Sequence, residues 1–249
     1  MIKRSTSIIA ACVLISAAAL AAAPASAQSE WSWGADAAFL SKYVWRGQTF
    51  TDGWVLQPDI WFSNGGFTFD IWANIDMSDA NELAWQVSEV DYTAEYVISL
   101  PRADLTLGAG IYEFPHTGSP GTTEIYAGFS PSDVPLNPQI FIYFDVDQAE
   151  GAYVEARLSS TLHGGNKAAI ADWMVHLGWG SGSYNAYYFG EAGAGFRDLT
   201  IELSRSFDIG GGFTLTPSAT WYTLLSDDLR DASPDDSDWA IGIIASYAP

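Results

Sequence analysis

Cysteine is nearly absent: Cys12 is the only one among 249 residues, and nothing after it can form a disulfide. A secreted chain without disulfides needs a large core or a lipid environment to hold it together. Long apolar runs are also missing. Beyond Ala23 no stretch has eighteen consecutive apolar residues, which excludes a helical membrane span. Basic residues are scarce, 10 against 30 acidic ones, and two of them, Lys3 and Arg4, stand at the very start. The remainder carries a net charge of −22, which argues against nucleic acid and against a polybasic membrane-surface mode. Histidine occurs three times, so catalytic and metal constellations have little to draw on.

What is abundant is unusual for an acidic chain. Aromatics make up 14% with 11 tryptophans, alongside 23 glycines, while local hydropathy stays weak; this combination suits a transmembrane β-barrel. The start reads as a processing segment. Lys3 and Arg4 form a basic n-region, Ile8 to Ala23 an apolar run, and Ala25-Ser26-Ala27 a small-residue cleavage site. Residues 1–27 are therefore expected to be a signal peptide and 28–249 one barrel domain. Ile9-Ala10-Ala11-Cys12 superficially resembles a lipoprotein box, but the main apolar stretch follows it rather than precedes it.

The dominant pattern is alternation with period two in segments of about ten residues. From Phe67 to Met77, Phe69, Ile71, Ala73 and Ile75 share one face, and Thr68, Asp70, Trp72, Asn74 and Asp76 the other. A helix would scatter these acids all round. The same sorting predicts about twelve strands, at 33–46, 54–63, 67–77, 89–99, 104–113, 123–130, 138–147, 152–162, 170–179, 197–207, 213–223 and 238–247. Short turn-coded links at Asn64-Gly65-Gly66, 100–103 and Gly210-Gly211-Gly212, with slightly longer ones at 131–137 and 163–169, alternate with mostly longer links at 47–53, 78–88, 114–122, 180–196 and 224–237. The expected fold is all-β: an antiparallel up-and-down barrel with short turns at one end and long loops at the other.

Aromatics on the apolar faces gather at predicted strand ends. Trp45, Trp54, Tyr92, Trp179, Trp221 and Trp239 form one expected girdle, and Trp33, Phe62, Phe67, Phe129, Phe207, Phe213 and Tyr247 the other. A soluble sandwich would concentrate such rings mid-strand, where its core is deepest.

The run Phe39-Leu40-Ser41-Lys42-Tyr43-Val44-Trp45-Arg46-Gly47, with Gln57-Pro58 after it, resembles the opening of the TorF-type (Gcw_chp) porin-like family of bacterial outer-membrane barrels. The likeness covers about twenty residues and departs from the family pattern at Lys42. It implies an outer-membrane barrel more than any mechanism. Gly242, Ala245 and Tyr247 similarly resemble the C-terminal signal read by the barrel-assembly machinery, although Ala240 and the overhanging Ala248-Pro249 depart from it.

No catalytic set stands out. His116 with Ser119 lies in a Gly/Pro loop, which is ordinary turn chemistry. His163-Gly164-Gly165 reads as a hairpin turn, and His176 points inward mid-strand. The acidic run Asp227, Asp228, Asp231, Asp235, Asp236 and Asp238 lacks calcium-loop spacing and reads as a solvated loop. No cofactor is implied.

The expected functional surface is the polar face. It collects Asp36, Asp59, Asp70, Asp76, Asp91, Glu95, Glu124, Asp145, Asp147, Glu155, Asp172 and Glu202, against Lys42, Arg46 and Arg157. Trp61, Trp72, Tyr112, Tyr126, Tyr143 and Tyr153 share that parity. A turn centred on Asn64-Gly65 would set Asp59 across from Asp70, with Lys42 beside them. These residues would line a narrow channel passing small hydrophilic, preferentially cationic solutes. The alternative is a closed barrel with a structural or ligand-binding role in its loops. Expected partners are outer-membrane lipid, lipopolysaccharide and the assembly machinery.

Overall fold

The computed structural model describes residues 30–165, 167–190, 193–233 and 236–249. The expected signal peptide, Cys12 included, lies outside them, as do Asn166 and Asp235. Fifteen strands and two short helices follow one another: β1 (Ser32–Leu40), β2 (Tyr43–Trp45), β3 (Gln48–Thr51), β4 (Val55–Asn64), β5 (Phe67–Asp76), β6 (Gln86–Leu100), β7 (Ala103–Glu113), β8 (Thr122–Pro131), β9 (Gln139–Asp145), β10 (Ala152–His163), β11 (Ala169–Gly180), α1 (Gly182–Phe189), β12 (Gly195–Ser204), β13 (Phe207–Gly210), β14 (Phe213–Leu224), α2 (Asp227–Asp231) and β15 (Ser237–Tyr247). Apart from β2 and β3, all belong to one antiparallel sheet. It closes on itself, because β1 pairs with both β4 and β15, and β14 with both β15 and β12. Counting β13 as the tail of β12, this is a twelve-stranded up-and-down barrel.

Alternation positions the side chains. Tyr96, Leu107 and Ile142 lie on the outside and are more than half exposed, while Trp72, Tyr112, Tyr126, Tyr143 and Tyr153 point inward and are buried. An apolar exterior around a polar interior is the inverse of a soluble protein and fits lipid as the surrounding solvent. The aromatic bands form largely as expected. Tyr247 packs on Trp33 at 5.6 Å and on Phe213 at 4.6 Å at the turn end, and Phe39 stacks on Trp54 at 4.5 Å near the loop end.

Three expectations about the strands need correction. The 33–46 strand stops at Leu40, where Ser41 bonds Ile241 through backbone and side chain (2.8 and 3.0 Å) and the chain turns inward. The remainder forms the β2–β3 hairpin, closed by Arg46 (φ 48°) and Gly47 (φ 78°). Two consecutive positive φ values make the tight turn whose twist matches a hairpin. Trp45 is consequently 7% exposed inside the barrel and does not belong to the outer girdle. Second, the 197–207 strand is broken at Arg205-Ser206, opposite Pro217, which has no N–H to complete the ladder. Third, Asn64 pairs with Phe67, so the turn centres on Gly65-Gly66. Asp59 then faces Trp72 and Asp70 faces Trp61, two residues from the expected register but on the same face.

A constricted, charged barrel interior

The interior changes character along its axis. Near the turn end, Asp36, Asp59, Glu95, Arg157, Asp172 and Glu202 are half-buried, whereas towards the loop end Asp76, Glu124, Asp145 and Asp198 are fully buried. Two insertions fill that end: the β2–β3 hairpin from one side and helix α1 from the other. Helix α1 starts at Ser181, whose Oγ accepts from the Tyr184 N–H, and ends at Gly190 in the left-handed conformation (φ 77°). These caps satisfy backbone groups that a short helix would otherwise leave open.

Arg46, at the hairpin tip, is the centre of the packed layer. Its guanidinium donates to both oxygens of Glu124 at 2.6 and 2.8 Å and to the Tyr184 hydroxyl. The same guanidinium lies 4.4 Å from the centroids of Trp45 and Tyr143 and 4.2 Å from that of Tyr153. Tyr112 also donates to Glu124, at 2.5 Å. A bidentate, charge-assisted pair with aromatic faces around it is a strong way to hold a loop inside a low-dielectric space. Tyr188 of helix α1 packs on Trp45 at 5.1 Å, joining the two insertions.

The β11–β12 pairing adds charge that strict alternation does not reveal. Leu177 pairs with Leu199 but Trp179 pairs with Phe196, so Arg197 and Asp198 together oppose Gly178. A bulge of this kind sends two neighbouring residues to one side. Both are fully buried, and Arg197 lies 4.6 Å from the Phe189 ring and 5.1 Å from that of Tyr184. Only glycine fits at 178, because a Cβ there would come within 2.3 Å of both Asp198 Oδ1 and the Tyr153 hydroxyl. Asp198 and Tyr153 also meet His176, at 2.9 and 2.7 Å from its Nε2. A similar irregularity in β6, where Asn74 pairs with Glu89 and Ile75 with Val87, buries Glu89.

The expected interior residues sort into distinct roles. Asp76 accepts from Thr51, Asn74 and Ser88, and Asp145 accepts from the backbone N–H groups of 147, 148 and 149 and from Thr122, so both organise loops. Asp147 lies beyond the end of β9 and is exposed. Glu155 pairs with Arg157, and Asp172 accepts from Thr161 at 2.6 Å. Tyr126 donates to Glu95 at 3.1 Å. Lys42 is not beside Asp59 and Asp70. It sits at the loop end and bridges Asp52 and Asp238, the latter at 2.9 Å. Partial burial opposes its charge, but hydrogen bonds to Asp238 and Asp52 outweigh that and raise its pKa above the ordinary lysine value.

Bases of the barrel strands enter the interior on one side only. Strands β4, β5 and β6 present Asp59, Asp70, Glu89, Asp91 and Glu95 with no base among them, while Arg157, His176 and Arg197 stand on β10, β11 and β12 beside Glu155, Asp172, Asp198 and Glu202. The lumen is acid-rich all round, and its acids go unbalanced on the β4–β6 side. The outlying candidates contribute nothing to it: His116 and His163 bond nearby backbone carbonyls, and Arg230 pairs with Asp227 in the α2 loop.

Comparison with solved structures places the fold among the outer-membrane porins. The chain superposes on the KdgM porin with a TM-score of 0.52 and 13% identity, over 86% of this chain and 98% of that one. KdgM in complex with disordered oligogalacturonate gives 0.49 and 11% over the same shares, and OprD from Pseudomonas aeruginosa gives 0.39 and 14% over 87% of this chain and 65% of that one. At this identity the likeness to the KdgM porin establishes the architecture alone, a porin-type outer-membrane barrel. No family model matches the chain, and no curated protein matches it in sequence, so the TorF-type resemblance rests on its twenty residues alone.

Proposed function

We propose that the protein is a passive channel of the bacterial outer membrane for small hydrophilic solutes, with a preference for cations, and that it is a divergent relative of the TorF-type porins. The observation that carries this reading is the half-buried charged interior leading to a layer where the hairpin and helix α1 narrow the lumen. Expected absence of catalysis agrees with the porin architecture, since porins are channels rather than enzymes. Binding to lipopolysaccharide and delivery by the assembly machinery, through Gly242, Ala245 and Tyr247, belong to the same reading.

The cation preference rests on the acid-rich wall. A low-dielectric barrel around unbalanced carboxylates concentrates counter-ions, and the effect fades as salt shortens the screening length to about 3 Å at 1 M. Reversal potentials under a potassium chloride gradient are expected to show potassium favoured over chloride at low salt, with the ratio falling towards unity at molar salt. Chloride preference at low salt would mean that Arg46, Arg157 and Arg197 dominate the conducting path.

A closed barrel with a structural or loop-borne binding role is the second reading. Its support is the complete burial of Glu124, Tyr184, Arg197 and Asp198 at the constriction. A protein that inserts into bilayers yet passes no current selects it.

A further inference from the structure

We propose that the acidic wall around Asp59 and Asp70 is a binding subsite for a primary organic ammonium group; this rests on the cation-preferring reading above and names the solute chemistry within it. Four carboxylates are brought together by register on the inward face. Asp36 of β1 pairs directly with Asp59 of β4, Asp59 pairs with Trp72 of β5, and Trp72 pairs with Asp91 of β6, while Asp70 faces Trp61. The wall therefore alternates carboxylates with two indole rings.

These carboxylates lack a counter-charge. Asp59, Asp70 and Asp91 have no ion-pair partner among the described residues, and the bases that enter the barrel are engaged elsewhere: Arg46 with Glu124, Arg157 with Glu155, Arg197 beside Asp198, and Lys42 with Asp52 and Asp238. Independently of the clustering, one oxygen (Oδ1) of each of Asp59, Asp70 and Asp91 is buried without a hydrogen-bond donor, although Asp70 is only 9% and Asp91 only 1% exposed. A buried carboxylate oxygen without a donor is costly, and a ligand that brings N–H groups and positive charge removes that cost.

The chemistry of the wall selects among cations. Calcium and magnesium need six or more oxygens at short, fixed distances, and among the described residues no three His, Cys, Asp or Glu side chains converge closely enough to hold a metal ion. A primary ammonium asks less. It offers three N–H donors to two or three separate acceptors, and its positive charge and adjoining CH₂ groups suit the faces of Trp61 and Trp72. Potassium brings the charge but no donor, and a quaternary ammonium brings charge and apolar surface but no N–H.

The test uses the full barrel, purified in detergent and titrated with propylammonium chloride at constant ionic strength. Binding is read by calorimetry and by tryptophan fluorescence. Propylammonium is expected to bind about ten-fold more tightly than either potassium or tetramethylammonium, a difference that charge-assisted N–H bonds and ring contact can supply. Asp59→Asn with Asp70→Asn is expected to abolish that advantage. If this variant does not fold, the comparison of the three cations on the unaltered protein still decides. Equal binding of propylammonium and potassium overturns the subsite even if the channel conducts and prefers cations; equal binding of propylammonium and tetramethylammonium overturns the hydrogen-bonding basis. Tight, Asp59- and Asp70-dependent propylammonium binding by a barrel that carries no current supports the subsite and overturns the channel reading instead.

Discussion

Replacing Arg46 by alanine is expected to cost about 3–5 kcal/mol of unfolding free energy, because it strips the buried Glu124 of its bidentate counter-charge. Glu124 is fully buried, and its carboxylate receives the Tyr112 hydroxyl as well as Arg46. Tyr184 would lose its partner as well, loosening helix α1 from the hairpin. The comparison that isolates the charge effect is the double replacement Arg46→Met with Glu124→Leu. It leaves no lone charge and is expected to be less damaging than Arg46→Ala, since a buried pair removed whole is often close to neutral. Urea unfolding of the barrel in lipid vesicles measures both. A loss under about 1 kcal/mol for Arg46→Ala would mean that water reaches this layer and that the pair behaves like a surface bridge.

An arginine at Ile142 is the second large effect. Ile142 stands in the middle of β9, 51% exposed on the outer face, and is paired with Ala127 of β8 and Val154 of β10. If that face meets hydrocarbon, Ile142→Arg costs about 2–4 kcal/mol at the bilayer midplane, while the same change at the strand end, Phe129→Arg, costs about 0–1 kcal/mol. The gradient is the informative part. A core-packed sandwich would penalise both positions according to packing, and a water-facing surface would penalise neither.

Much of this architecture is legible from period-two alternation alone. Strands β5 to β10 match their expected spans to within about three residues at each end, and the inward tyrosines 112, 126, 143 and 153 fall where the pattern puts them. Alternation fails where the chain departs from a regular ladder. It cannot register the bulges that bury Arg197 and Glu89, since two adjacent residues then share a face. Gly178 was the available sign, a small residue where a backbone or side chain approaches closely. Alternation also runs straight through Ser41-Lys42, because Tyr43 and Trp45 continue the apolar rhythm of β1. The corrective sign was Arg46-Gly47, a dipeptide suited to a hairpin turn rather than to a strand end. That one turn converts Trp45 from a girdle residue to a plug residue and moves Arg46 from the wall to the centre of the lumen. The Asp59–Asp70 register differs from the alternation by two residues for a related reason: Gly65 and Gly66 together supply the turn, placing Asn64 in the strand.

Step conductance in a planar bilayer bears most directly on the central claim, a lumen that conducts past the hairpin and helix α1. Purified protein added at low concentration is expected to give discrete current steps of small, uniform size, in keeping with a twelve-stranded barrel narrowed at one end. Releasing the constriction through Arg46→Ala is expected to enlarge those steps. Stable insertion with no steps in either protein, at any voltage tried, would contradict the channel and leave a closed barrel.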